Sequence, residues 1–281
     1  MKLAFKHSGH LGDIVYSLPL VKALTGSHGT TCDFFIASNT PSPYPPSAHP
    51  AGNVMMTKEA FDFIAPLLES QNYIDKAHFV PDSGVPTQAL DLDSFRNIGL
   101  NPSTGMLPGL YRKAFGVPVP IEQQWLSVEA PAAGGNAAKV PPILVSRSLR
   151  YHNTSINYSL LAQFENIGFV GLGNEYQDFV DRYGLTNVEY FPVKNALEFA
   201  RLLLQAQLFI GNQSFGFAVA EGLKINRALE DYEPQPNVIP IGGTCVEFIH
   251  TPSLAQFLES FFKRKLKPAK NLYPGYVLYV S

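Results

Sequence analysis

The chain has 281 residues, with 21 Lys and Arg against 23 Asp and Glu, a formal net charge of −2 and only 16% charged side chains. That balance points away from a basic footprint for wrapping nucleic acid and from a polybasic membrane patch. The length points to two modest α/β domains rather than one core.

Cys32 and Cys245 stand far apart without metal-ligand spacing, and the first residues read as a strand rather than a secretory signal. The longest apolar runs, 14–21 and 215–220, are far below a membrane span, so a soluble cytoplasmic protein is expected.

In chain order, the opening reads as a strand over 2–6, a helix over 13–25 and a strand over 32–37. A proline-rich loop follows at 40–53, where regular pairing is forbidden. Phe61, Ile64, Leu67 and Leu68 have helical spacing within 58–70 despite Pro66, and 77–80 has strand character. The polar stretch Asp91-Leu92-Asp93-Ser94-Phe95-Arg96 fits no element, and 110–115 reads as a short helix. Small residues with a Gly-Gly and a Pro-Pro pair mark 128–142 as a linker, giving domains at 1–135 and 140–281. Beyond it, strands over 143–145, 167–170, 188–190, 207–210 and 238–241 alternate with helices over 159–166, 174–183, 196–205 and 214–224. A helix over 254–264 and a tail ending at 276–280 complete the chain. Alternation of this kind predicts a parallel sheet with helices on both faces.

Three segments carry candidate chemistry. In Ser8-Gly9-His10-Leu11-Gly12, glycines allow close backbone approach to a ligand, and the helix start beyond offers N–H groups. The spacing lacks the third glycine of a dinucleotide fingerprint, and no P-loop Lys-Ser/Thr follows. Asp13 stands where the helix begins, either as a general base for a hydroxyl nucleophile or as a helix cap. Ser146-Arg147-Ser148-Leu149-Arg150 follows a strand of the second half, and its guanidiniums and hydroxyls suit a phosphate or diphosphate, or else are solvated loop residues. Gly211-Asn212-Gln213-Ser214 precedes a helix whose head can donate to phosphate oxygens; the plainer reading makes Ser214 an N-cap and Asn212 a turn residue. Glu221, inside that apolar helix, must face solvent or bind something, and ribose hydroxyls are one such partner. His7 and His10 flank the glycine loop as ligand contacts or as ordinary polar loop residues. Asp91-Leu92-Asp93 formally fits an Asp-x-Asp metal pattern, but nothing beside it completes a site.

Together and in this order, these segments resemble glycosyltransferase family 9, the ADP-heptose:lipopolysaccharide heptosyltransferases and their relatives. KHSGHLGDIVYSLPLVKAL is similar to the family's opening segment, which implies Asp13 as the base activating the acceptor hydroxyl. Ser146-Arg147-x-x-Arg150 resembles the family's Thr/Ser-Arg-x-x-Lys phosphate turn, with Arg150 where Lys is usual. LFIGNQSFGFAVAEGL resembles its Gly-Asn-Asp-Ser-Gly donor segment: Gly211, Asn212 and Ser214 match, whereas Gln213, Phe215 and Ala218 depart. No resemblance extends over 40–124.

What the resemblance implies is an α/β protein of two Rossmann-like domains facing across a cleft, the GT-B arrangement. It also implies metal-independent transfer of a sugar from a nucleotide-diphosphate donor to an acceptor hydroxyl. Gly12, Ser146, Arg147, Arg150, Gly211, Asn212, Gln213, Ser214 and Glu221 would serve the donor, and His7 and His10 the acceptor side. No metal and no cofactor beyond the donor are expected. The partners are a small-molecule nucleotide sugar and a glycan or other hydroxyl acceptor, with no nucleic acid. The departures leave two alternatives standing, a non-catalytic nucleotide-sugar binding protein and a sugar-nucleotide epimerase of the same fold.

Overall fold

The computed structural model describes residues 2–43, 51–99, 101, 105–130 and 140–267. The central part of the proline-rich loop, most of the linker and the tail at 276–280 therefore lie outside the described residues.

The first half runs β1 (Leu3–His7), α1 (Leu11–Ser27), β2 (Cys32–Ser38), α2 (Lys58–Glu69), β3 (Ile74–Pro81), β4 (Leu90–Asp91) and α3 (Leu107–Phe115). Its four strands form a parallel sheet in the order β3-β2-β1-β4. The second half runs β5 (Ile143–Ser146), β6 (Ile167–Phe169), α4 (Gly173–Tyr183), β7 (Val188–Tyr190), α5 (Ala196–Leu203), β8 (Leu208–Asn212), α6 (Phe215–Leu223), β9 (Arg227–Glu230), β10 (Cys245–Phe248) and α7 (Thr251–Phe262). Its six strands are also parallel, in the order β10-β9-β8-β5-β6-β7.

This order sets the site. From β5 the chain builds outward through β6 and β7, then returns to β8 on the other flank, so the winding reverses between β5 and β8. In the first sheet it reverses between β1 and β4. Open parallel sheets bind ligands beyond the carboxyl ends of the strands at such reversals.

Two helices without a polar face explain how the halves meet. In α1, Ile14, Val15, Leu18, Leu20 and Val21 are all fully buried, and α6 is buried from Gly216 to Leu223. A helix apolar on every side must be covered on every side. Here α1 packs against α6, and α2 against α5. One apolar core accordingly runs through both halves, from Phe5 and Leu18 to Phe199 and Phe217, while a second, with Val145, Tyr158, Phe179 and Phe248, fills the other face of the second sheet.

Two expected elements differ. The helix over 159–166 is a six-residue 3-10 helix, Tyr158–Gln163, since residues 164–166 already lead into β6. No strand forms at 238–241, where Pro240 lacks an N–H and Gly242 and Gly243 take positive φ. The strands there are β9 and β10. Arg227 and Glu230 of β9 are fully buried, each as half of an ion pair.

Candidate active site

The loop after β1 is built by short hydrogen bonds. Ser8 donates its N–H and its hydroxyl to Asp93 Oδ2, each at 2.7 Å. Gly9 N–H donates to His7 Nδ1 at 2.8 Å, which fixes the ring proton on Nε2, and Nε2–H points to the Tyr111 hydroxyl at 2.8 Å. Burial pushes the His7 pKa down, so the ring is neutral. His7 is wholly buried and braces the loop from beneath, so it does not meet an acceptor as expected. Gly9 is required there: a Cβ would lie 2.5 Å from His7 Cε1 and 2.9 Å from Asp13 Cβ.

Asp13 sits in the first turn of α1, where the helix dipole favours a carboxylate. Its Oδ2 accepts from Arg96 Nη2 at 3.0 Å, and Arg96 Nη1 donates to Asp93 Oδ1 at 2.6 Å. The guanidinium lies over the Phe95 ring, 4.6 Å from its centroid. Burial by itself would raise the Asp93 pKa, but the Ser8 donors and the Arg96 guanidinium oppose it, and the carboxyl is held low. The stretch 91–96, which fits no element on sequence, is thus β4 with a 3-10 turn, Leu92–Asn97, that ties the glycine loop to Asp13. Asp93 takes Ser8 and Arg96, and Asp91 takes the Asp93 N–H and lies 3.5 Å from Lys6 Nζ.

On the other half, Ser214 is the N-cap of α6, but its hydroxyl caps nothing. The Oγ is shut off from solvent with no hydrogen-bond partner among the described residues. The first intrahelical bond runs from Ala218 N to Ser214 O, so the N–H groups of Phe215, Gly216 and Phe217 point out of the helix head. Ser146, at the end of β5, packs beside this turn: a Cβ on Gly216 would lie 2.8 Å from its Oγ. Gly211 is a packing glycine, since a Cβ would lie 2.8 Å from Phe209 Cε1.

The two helix heads meet. A Cβ on Gly12 would stand 3.8 Å from Phe215 N and 3.9 Å from Phe215 Cα, so the start of α1 abuts the start of α6. His10, the N-cap of α1, donates from Nδ1 to Met55 O at 2.8 Å. Its pKa is lowered chiefly by burial, and Arg150 of the other half lies close enough to lower it further. Arg150 is half-buried, its guanidinium 4.9 Å from the Tyr151 ring centroid, and it forms no ion pair among the described residues. Asp13, His10, Arg150 and Ser214 thereby gather at one junction.

Four expected donor contacts are engaged elsewhere. Arg147 is buried and forks onto Glu230, Nε to Oε2 at 2.7 Å and Nη2 to Oε1 at 2.9 Å, which pairs its charge and leaves Nη1 with no hydrogen-bond partner among the described residues. Glu221 is buried and takes Arg227 Nε and Lys224 Nζ, each at 2.5 Å, and Ile241 N at 3.1 Å, so it has no place for ribose. Gln213 turns away, donating to Gln235 O at 2.8 Å and accepting from Tyr232 N at 3.2 Å. Asn212, fully buried, accepts from Ser148 N at 3.0 Å and donates to Arg150 O at 2.6 Å; it holds the turn that presents Arg150 rather than a ligand. In the opposite direction, Arg96 and Tyr111 escaped the sequence reading, because nothing local says that they pack beneath a loop about a hundred residues away. Two surface hollows, about 250 Å³ beside Phe191 and Arg201 and about 330 Å³ beside Met106 and Ile121, lie away from these residues.

Two parallel sheets, with glycine-loop helices meeting at their winding reversals, define a GT-B-type α/β protein. No family model matches the sequence, and no curated protein does. Solved structures match over nearly the whole chain. The E. coli heptosyltransferase WaaC with ADP-2-deoxy-2-fluoro heptose aligns at TM-score 0.55 and 12% identity, covering 92% of this chain and 99% of that one. The E. coli ADP-heptose lps heptosyltransferase II aligns at TM-score 0.55 and 13% identity, covering 94% and 99%. A glycosyl transferase family 9 protein from Veillonella parvula aligns at TM-score 0.54 and 12% identity, covering 92% and 90%. The fold is that of these heptosyltransferases, and the described residues include no helix long and apolar enough to cross a membrane.

Proposed function

We propose that this protein is a glycosyltransferase that moves a sugar from a nucleotide-diphosphate donor to an acceptor hydroxyl. One observation carries this reading: the head of α1, bearing Asp13, abuts the head of α6, bearing the unsatisfied Ser214 hydroxyl, with Arg150 alongside. Asp13 is the general base, held toward the junction by Arg96, and takes the acceptor proton as the glycosidic bond forms. The donor diphosphate lies against Arg150, Ser214 and the α6 N–H groups, with Ser146 beside them. Guanidinium and helix dipole meet the charge that develops on the departing nucleotide, so the step runs without a divalent ion. The heptosyltransferase neighbours supply the donor class, an ADP-sugar, as the first to try.

The test is transfer and donor hydrolysis across ADP-, UDP- and GDP-sugars, with and without chelator, alongside nucleotide-binding calorimetry. Asp13→Asn is expected to abolish transfer with nucleotide affinity retained, and Arg150→Ala to weaken diphosphate binding. Full turnover in Asp13→Asn would refute the assignment. A second reading, nucleotide-sugar binding without catalysis, rests on the Asp13–Arg96 pair, which gives the candidate base a standing counter-ion. Donor bound by the wild type but never consumed would favour it.

A further inference from the structure

We propose that residues 117–128 are a positioning strap, which fixes α6 so that the Ser214 turn stands against Asp13 in the free protein and the junction needs no closure of the two halves. The strap leaves α3 of the first half and carries no helix or strand, yet Val119, Ile121, Trp125 and Leu126 within it are buried. Irregular segments ordinarily run over the surface, because their backbone groups need partners. Here both halves supply the partners.

From the second half comes the Gly222 carbonyl, in the last turn of α6, where a helix leaves its C=O groups without intrahelical donors. It accepts from Trp125 N at 3.0 Å and from Leu126 N at 3.1 Å. Gly222 permits that approach: a Cβ would stand 2.7 Å from Leu126 Cδ1 and 2.8 Å from Trp125 Nε1. Lys224, just beyond the helix, holds its Nζ 4.4 Å from the Trp125 ring centroid. A Cβ on Gly242 would lie 2.5 Å from Glu122 O, so the loop after β9 closes on the strap as well. From the first half, Lys22 of α1 donates to Gln124 O, the Tyr73 hydroxyl donates to Trp125 O and Gln71 Oε1 accepts from Ser127 N, each at 2.8 Å.

The helix α6 is thereby gripped at both ends. Its head abuts the head of α1 at Gly12, and its last turn is tied through the strap to α1 and to the turn before β3. Halves that meet through a small polar interface move against one another; a shared apolar core with a strap bonded to both sides resists that motion. On the glycosyl-transfer reading of the junction, on which this proposal rests, the strap sets the spacing between the base and the diphosphate. Trp125 and Leu126 are then positioning residues, acting about 12 Å along α6 from Ser214 at about 1.5 Å per residue.

Trp125 is the sole tryptophan of the chain, so its emission reports on the strap. In the full-length wild type it is expected to emit as a buried indole with and without ADP. The Trp125 and Leu126 amides should exchange with deuterium as slowly as those of β5 and β8, and small-angle X-ray scattering should give one radius of gyration with and without ADP. Gly222→Ala crowds the strap and should shift the emission to the red and speed exchange at both amides. It should also lower turnover of whichever ADP-, UDP- or GDP-sugar is consumed by about 10- to 100-fold, with ADP affinity by calorimetry unchanged. The combined variant Lys22→Met and Tyr73→Phe removes two strap bonds without adding bulk; it should act in the same direction, which separates the strap from a folding defect in Gly222→Ala. Strap amides that exchange well ahead of β5 and β8, a smaller radius on adding ADP, or a released strap with full turnover would each overturn the proposal. Slow exchange and an unchanged radius in a protein that consumes no donor would refute the transfer reading and support the strap.

Discussion

Arg147 is the sharpest place to separate scaffold from site. The pair it forms with Glu230 is shut off from water on both sides, with Arg147 3% and Glu230 0% exposed. Glu230 also accepts from the Tyr158 hydroxyl at 2.8 Å and from Asn153 N at 2.7 Å, and the guanidinium lies 5.4 Å from the Tyr158 ring centroid. Arg147→Met keeps most of the packed stem but leaves a buried carboxylate without its cation. Stranding one partner of such a pair destabilises by about 3–5 kcal/mol. At about 2–4 °C per kcal/mol for a chain of this size, the thermal midpoint should fall by roughly 6–20 °C. Adding Glu230→Gln removes the orphaned charge while its amide oxygen still accepts from Tyr158, so the double variant should recover to within about 1–2 kcal/mol of wild type. The assay is urea unfolding of both variants, paired with nucleotide calorimetry. An unchanged midpoint with lost nucleotide binding in Arg147→Met would refute the reasoning and return Arg147 to the phosphate site.

Other perturbations act nearer the junction. Arg96→Met removes the donor 3.0 Å from Asp13 Oδ2; turnover should fall about 10- to 100-fold with nucleotide affinity unchanged, since misplacing a reacting group by an ångström has that effect, and steady-state kinetics beside calorimetry would show it. Gly9→Ala drives a Cβ to 2.5 Å from His7 Cε1; overpacking of this kind should destabilise by about 1–3 kcal/mol in urea titrations. For His7 the folded pKa lies below the unfolded value of 6.5 because burial disfavours the charged ring. The unfolded chain then binds the proton first, so the stability His7 contributes is full above about pH 6.5 and is lost as pH falls through the folded pKa. Urea midpoints measured across that range should decline toward acid in the wild type and decline less in His7→Gln.

The helices and strands were largely legible because their signals are local. Phe61, Ile64, Leu67 and Leu68 repeat at helical spacing, and α2 covers 58–69 despite Pro66. The apolar runs at 14–21 and 215–220 were also visible, although not that α1 and α6 would cover one another. What misled was charge. Arg147 and Glu221 read as ligand contacts or solvated residues, whereas each is half of an ion pair inside the second half, Arg147 with Glu230 and Glu221 with Arg227. A buried charge looks the same in sequence as an exposed one, because its partner is distant along the chain.

By itself the sequence determined a parallel α/β chain with a glycine loop and Asp13 at one helix head, and a Ser-bearing turn at another. Those features follow from backbone chemistry within a few residues: glycine where a Cβ clashes, a helix start after a strand, apolar periodicity. Only the tertiary structure decided that the two helix heads touch, that Arg96 holds Asp13, and that Arg150, not Arg147, is the cation left at the junction. The reason is that ion pairing and desolvation depend on distance in space, and strand order sets which side chains share a crevice.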